Sequence, residues 1–250
     1  MQPDLSPFLD KTRPLYFRKL KLSSNLRVAV LAPHPDDFDA IGITMRLLHN
    51  NGNKINLAVL TSGAGGVDNK GLTILEKSAL REEEQKSSCN FFGLPPDCLT
   101  FLHLEEDAEH HIEVSERNLE HLKTFWVAHS PDIIFMPHGN DTNKEHKRTY
   151  LLFRKLMETL NRSIVALLSK DPKTIEMKHD LYTEFGDDED AIWKAELLRH
   201  HKTQHERNLK TRQYGFDDRI LNLNRQIARE SGITEKYAEV FEIEWYPGNQ

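Results

Sequence analysis

Between residues 27 and 137 the chain alternates apolar runs with stretches of helical spacing, and this alternation restricts the possible folds more than any other feature. Arg27 to Ala32 ("RVAVLA"), Lys54 to Leu60 ("KINLAVL"), "LTFLHL" and "DIIFMP" read as strands. Helices are predicted over Ala40 to His49, Leu72 to Phe92 and about Val114 to Ala128, the second closed by Gly93 and two prolines. Strand followed by helix, repeated, implies parallel strands joined by right-handed crossovers, so residues 1 to about 160 are expected to form a doubly wound α/β layer structure.

The C-terminal third reads differently. "SIVALLSK" and "IEMKHDLYTEF" are expected as strands, "DEDAIWKAELLRHHKTQHERNLKTRQY" as one long polar helix, and "KYAEVFEIEWY" as a late strand. The expectation is a single domain over 1–250, with a core at about 25–160 and an α+β extension from about 161. "GDDED" reads as a solvated helix start, where acids favour the positive end of the helix dipole.

Composition narrows the function classes. With 250 residues, a net charge of -6 and a pI near 6.1, the chain offers no basic field for nucleic acid or an anionic membrane. The N-terminal stretch lacks a continuous apolar segment, and nowhere do about 18 apolar residues run together, so no membrane span is expected and a cytoplasmic setting is. Cys89 and Cys98 lack CxxC spacing and read as packing residues.

The polarity sits at two proposed strand ends. "VAVLAPHPDDFDAIG" runs from an apolar strand into His34, Asp36, Asp37 and Asp39, and "DIIFMPHGNDTNKEH" runs into His138, Asp141 and His146. In open parallel sheets, loops beyond the carboxyl ends of strands line a common crevice, so residues about a hundred positions apart can meet there. Imidazole mixed with carboxylate suits zinc or another borderline divalent ion, although solvated loop polarity explains such residues equally well. Asp39 reads as a helix cap and Asp141 as either an Asx turn or a partner for His138 or His146. Gly63, Gly65 and Gly66 read as letting their loop approach the site closely, since "TSGAGG" lacks both the Walker lysine and the dinucleotide glycine spacing. His200, His201 and His205 read as a polar helix face, and Trp126, Trp193 and Trp245 as core or interface residues.

These residues resemble a known family. "PHPDD" at 33–37, followed by Gly42, is similar to the "AHPDDE…G" signature of the PIG-L or LmbE-like deacetylases, and "PHGNDTNKEH" is similar to their second metal loop. "NKINLAVLTSGAGG" and "REEEQKSSCNFFGL…FLHL" match the family's second strand and its Arg-x-x-Glu helix. The resemblance implies a Rossmann-like fold and a zinc-dependent N-deacetylase with one Zn2+ per chain, acting on the N-acetylglucosamine unit of a larger conjugate. Carried over position by position, it makes His34, Asp37 and His146 the metal ligands and Asp36 the general base.

Other positions are less settled by the resemblance. Arg81 matches a family arginine that often faces substrate, and the alternative reading is a salt bridge to Glu84 or Glu105. Asn143 stands where several members have a histidine and is taken as substrate-binding. The acid for the leaving amine is then open between protonated Asp36, His138 and a C-terminal histidine, with His138 the catalytic candidate. Phe38 replaces the signature glutamate. Members are often homo-oligomers. The competing readings are hydrolysis of another small amide and a non-catalytic module that binds a sugar conjugate.

Overall fold

The computed structural model describes residues 3–186 and 188–248; Asp187, within the expected polar helix start, lies outside them. In chain order the strands and helices are β1 (Leu15–Tyr16), β2 (Arg27–Ala32), α1 (Asp37–Ala40), α2 (Gly42–Asn50), β3 (Lys54–Val59), α3 (Ile74–Phe92), β4 (Leu99–Phe101), α4 (Glu116–His129), β5 (Ile133–Pro137), α5 (Lys144–Thr159), β6 (Ile164–Ser169), β7 (Leu181–Phe185), α6 (Glu189–Arg199), α7 (Lys202–Arg212), α8 (Phe216–Glu230) and β8 (Tyr237–Tyr246).

The strands form one sheet in the order β1-β7-β8-β6-β5-β2-β3-β4. All neighbours are parallel except β8, which runs antiparallel to both β6 and β7. The apolar runs are explained by burial on both faces. From β2, Val28, Val30 and Ala32 pack with Met45, Leu48 and Phe92 on one side, while Ala29 and Leu31 pack with Leu122, Phe125 and Phe153 on the other. Successive side chains of a strand point to opposite faces, so each run feeds two cores. Helices therefore cover both faces, as the doubly wound reading requires.

Local signals set several boundaries. Thr73 and Glu76 form a reciprocal capping box that starts α3, and Gly93, at φ +90°, ends it in the left-handed conformation that glycine adopts without steric cost. Two expectations need correction, and one helix lies beyond them. The helix expected over Ala40 to His49 begins at Gly42, as α2, and is preceded by the separate turn α1, which ends at Ala40. The expected long polar helix is two, α6 and α7, because the chain breaks at His200 and His201 where His201 turns into the interior. Helix α8, for which the pattern reading gave no expectation, buries Phe216, Ile220 and Ile227 behind β8 and α6.

Candidate active site

The order of strand addition reverses at β2: its sequence successor β3 lies on one side and β5 on the other, both parallel to it. Loops leaving the carboxyl ends of β2 and β5 diverge from a shared gap, the topological switch point where ligands bind in such sheets. Both polar loops open into that gap, and a cavity of about 620 Å³ there is lined by His34, Asp36, Asp37, Asn143 and His146, among others.

The β2 loop is held from several directions. Thr61 donates its backbone N–H (3.1 Å) and its hydroxyl (2.8 Å) to the Pro33 carbonyl. Asp36 has φ +114°, a left-handed value uncommon for any residue with a Cβ and a form of strain that clusters at functional sites. That conformation is stabilised by its own N–H donating to Gln85 Oε1 at 3.0 Å and by Arg81, whose Nη2 donates to Asp36 Oδ2 at 3.0 Å and to the Pro35 carbonyl. The turn also brings Asp37 Oδ2 within 2.8 Å of the His34 N–H.

Nδ1 of His34 lies 3.3 Å from one Asp37 oxygen, and Nε2 of His146 lies 3.6 Å from the other. All three ligand atoms fall within 4.8 Å of one another. Tetrahedral coordination with bonds of about 2.0–2.1 Å separates adjacent donors by about 3.4 Å, so the two imidazoles and one carboxylate fit a zinc-like ion with little rearrangement. On the far side of His146, Nδ1 sits 3.2 Å from Asp141 Oδ2. In the neutral imidazole that contact holds the proton on Nδ1 and leaves the Nε2 lone pair, toward Asp37, for a metal. Asp141 is fully buried; it also accepts the Asn143 N–H at 2.6 Å and the Thr174 hydroxyl at 3.1 Å. It therefore closes an Asx turn and orients His146, uniting two of the roles its sequence position suggested.

The electrostatics follow from these contacts. Burial alone would raise the Asp37 carboxyl, but hydrogen bonds from His146 and His34 outweigh it and hold the group well below the carboxylate range. Burial would likewise lower His146; Asp141 and Asp37 instead push it up to about 10. The site thus carries concentrated negative potential that a proton or a metal cation satisfies.

Other residues named from sequence fall into place unevenly. Asn143 caps α5, its side chain accepting the Glu145 N–H at 3.0 Å, while still lining the cavity. Arg81 lines the cavity, is only 2% exposed and contacts Asp36, Pro35 and Glu84; its Glu84 ion pair forms, whereas Glu105 pairs with Arg117. His138 is not among the cavity-lining residues: its Nδ1 accepts the Asn140 N–H at 3.0 Å and its Nε2 lies 3.3 Å from Glu242. Asp39 does not cap a helix. It is buried against His201, with Nε2 to Oδ2 at 2.6 Å, and accepts from Gln85 and Ser88 at 3.1 Å each. His201 is accordingly a core residue and not part of a polar face, whereas His205 turns toward Asp217, its Nδ1 3.2 Å from Oδ1.

Pattern reading missed Asp171, which lies just beyond β6, lines the cavity and forms a second cluster with Asp141 and His146. Burial, opposed by His146, raises its carboxyl pKa. Its signal was present in "SIVALLSKD": an acid at the end of a third parallel strand, beside β5. No tryptophan lines the cavity among the described residues.

An α/β protein with a doubly wound sheet and a His, Asp, His cluster at its switch point is a defined class of molecule. The family model described as PIG-L, GlcNAc-PI de-N-acetylase, matches residues 29–157, and the chain belongs to that family. The match takes in His34, Asp36, Asp37, Arg81 and His146 and stops short of Asp171. No curated protein sequence matches the chain. Among solved structures, N,N'-diacetylchitobiose deacetylase from Pyrococcus horikoshii is similar with a TM-score of 0.74 at 18% identity, covering 96% of this chain and 89% of that one. A 4-carboxy-2-hydroxymuconate hydratase from Pseudomonas putida superposes at 0.68 with 16% identity (89% and 98% covered). The zinc-inhibited form of a teicoplanin deacetylase gives 0.66 and 11% (88% and 98%). At such identities the likeness establishes the fold, and the presence of a hydratase among the neighbours means the reaction must be argued from the site.

Proposed function

We propose that this protein is a metal-dependent N-deacetylase that removes the acetyl group from an N-acetylated amino sugar carried on a larger conjugate. The observation that carries the proposal is Asp36: a carboxylate held in a strained backbone conformation beside a His34, Asp37, His146 cluster. Binding alone gives no reason to maintain a second carboxylate there. Family membership favours the same reaction, and two proteins with this fold are named as deacetylases, one of them of N,N'-diacetylchitobiose and one of teicoplanin.

His34, Asp37 and His146 would hold one zinc ion, which when bound supplies a Lewis acid and lowers the pKa of water toward about 7. The chain's own groups do the rest. Arg81 occupies Asp36 Oδ2 and leaves Oδ1 to accept a proton from the attacking water. Asp141 keeps His146 in the tautomer that presents Nε2. The cavity, at about 620 Å³, lies within the roughly 300–1,000 Å³ range of small-molecule sites. No helix among the described residues is long and apolar enough to cross a membrane.

The test is metal content by mass spectrometry on untagged protein, together with amine release from N,N'-diacetylchitobiose. Zinc near one per chain, lost in His34→Ala, with turnover abolished and zinc retained in Asp36→Asn, is the expected result. Equal loss of zinc and activity in Asp36→Asn would show that a ligand has been mistaken for a base. Zinc binding without turnover on any N-acetyl sugar or other small amide would leave a binding module.

A further inference from the structure

Amide hydrolysis forms a C–O bond from water and breaks the C–N bond, whose electron pair goes to nitrogen. That nitrogen must take a proton as it leaves, or the amide re-forms. Asp36 accounts for the first proton, removed from water, and the second requires an acid at the cavity. Imidazole is the side chain whose charge changes near neutrality. His138 is outside the cavity lining and engaged with Glu242, and Asn143 carries an amide that cannot donate in this way.

Two further histidines do line the cavity, both on the loop between β4 and α4. His110 is 90% exposed, whereas His111 is 28% exposed and built into the structure. Its Nδ1 contacts Glu145 Oε1, and the other Glu145 oxygen accepts the Ile112 N–H at 2.9 Å. The His111 N–H donates to Asp107 Oδ1 at 3.1 Å, and Arg148 pins the loop by bonding both Asp107 and the Ile112 carbonyl, the latter at 2.8 Å. Three contacts thus fix a histidine at the cavity wall. The charged groups around it are Glu106, Asp107 and Glu109 from its own loop and Glu145 from α5, with the cations Arg148 and Lys144 bound to Asp107 and Glu109.

We propose that His111 is the catalytic acid, a role that rests on the deacetylase reading. Water loses one proton to Asp36 as its oxygen bonds to the carbonyl carbon. The C–N bond then breaks as His111 gives its Nε2 proton to nitrogen, leaving free amine and acetic acid. The proton on Asp36 returns to His111 through solvent, which restores both groups.

The experiment compares zinc-loaded wild type, His111→Gln and His111→Ala on N,N'-diacetylchitobiose, with zinc content and calorimetric affinity for the sugar measured on each. His111→Gln keeps a donor toward Glu145 and is expected to bind zinc and sugar as wild type does. Its kcat should fall by about 10²-fold or more, the contribution typical of general acids, with KM little changed. The alkaline fall of the wild-type pH profile should disappear, and added imidazole should partly restore His111→Ala. An active wild type whose His111→Gln variant keeps kcat within about threefold and the same pH profile overturns the role of His111 alone, since a missing general acid costs far more. A zinc-loaded wild type that releases no amine refutes the deacetylase reading and the acid with it.

Discussion

Replacing Asp141 by Asn tests the metal site without reference to any substrate. Asp141 touches His146 Nδ1 at 3.2 Å and is fully buried, so the substitution changes one atom's chemistry at nearly constant shape. The backbone side of the Asx turn survives, because an amide oxygen still accepts the Asn143 N–H. On the His146 side an NH₂ replaces a carboxylate oxygen. It can only donate, and so favours the tautomer with the proton on Nε2, the nitrogen that faces Asp37 and must be free to bind metal. Loss of such an orienting carboxylate typically weakens metal binding 10–100-fold, about 1.4–2.7 kcal/mol. Competition against a chromophoric chelator measures the zinc Kd directly, and urea unfolding of the metal-free protein checks that the fold is intact. A Kd within about twofold of wild type would refute the claim that Asp141 sets the His146 tautomer, given the 10-fold minimum expected.

Three other perturbations probe separate features. Lys194 is completely buried with its Nζ 2.6 Å from Glu239, and Lys194→Met leaves that carboxylate bonded to the Ile43 and Thr44 N–H groups but without a counter-charge; at about 3–5 kcal/mol and about 2–4 °C per kcal/mol, Tm should fall by roughly 6–20 °C, whereas a shift under about 2 °C contradicts the pairing. Arg148, with the Glu109 and His111 backbone amides, holds the Asp107 carboxyl at about 2 against an ordinary 3.8. Because the folded value is depressed, the stabilisation is complete above about pH 4 and is lost as pH falls toward 2, so the protection of those two amides against hydrogen exchange should drop across that interval; constant protection from pH 5 to pH 2 would be the contrary result. Gly63, at φ +63°, has room for a Cβ only 3.0 Å from Pro35 Cδ and 3.3 Å from Arg81 Nε, so Gly63→Ala should cost about 1–2 kcal/mol in unfolding free energy and should lower turnover through Arg81 and Asp36.

Much of the molecule was legible in one dimension because its signals are local. Apolar runs long enough for a strand, punctuated by helical spacing, impose a doubly wound sheet, and that topology alone brings residues 34 and 146 together. Asp39 illustrates where local reading stops. An aspartate at a helix entrance is ordinarily a cap, and only the partner at position 201 shows that this one is buried. The same partner explains the break between α6 and α7: a chain of good helix formers is interrupted because His201 is worth more inside, bonded to Asp39, than on a continuous helix. Asp171 escaped for a different reason. Its strand is clear in sequence, but its position beside β5 depends on the order of strands in the sheet, which periodicity does not encode.

The placement of β8 has a consequence for how the protein is made. It is inserted between β6 and β7, and β1 is attached to the sheet only through β7. Yet β8 is later in the sequence than every other strand. During synthesis the segment from β2 to β6 can assemble its parallel strands as it emerges, while β1 and β7 have no edge to join until β8 arrives. Nascent chains arrested before residue 237 should therefore hold β6 as an exposed edge, a surface that chaperones recognise and that neighbouring chains on a polysome can pair with.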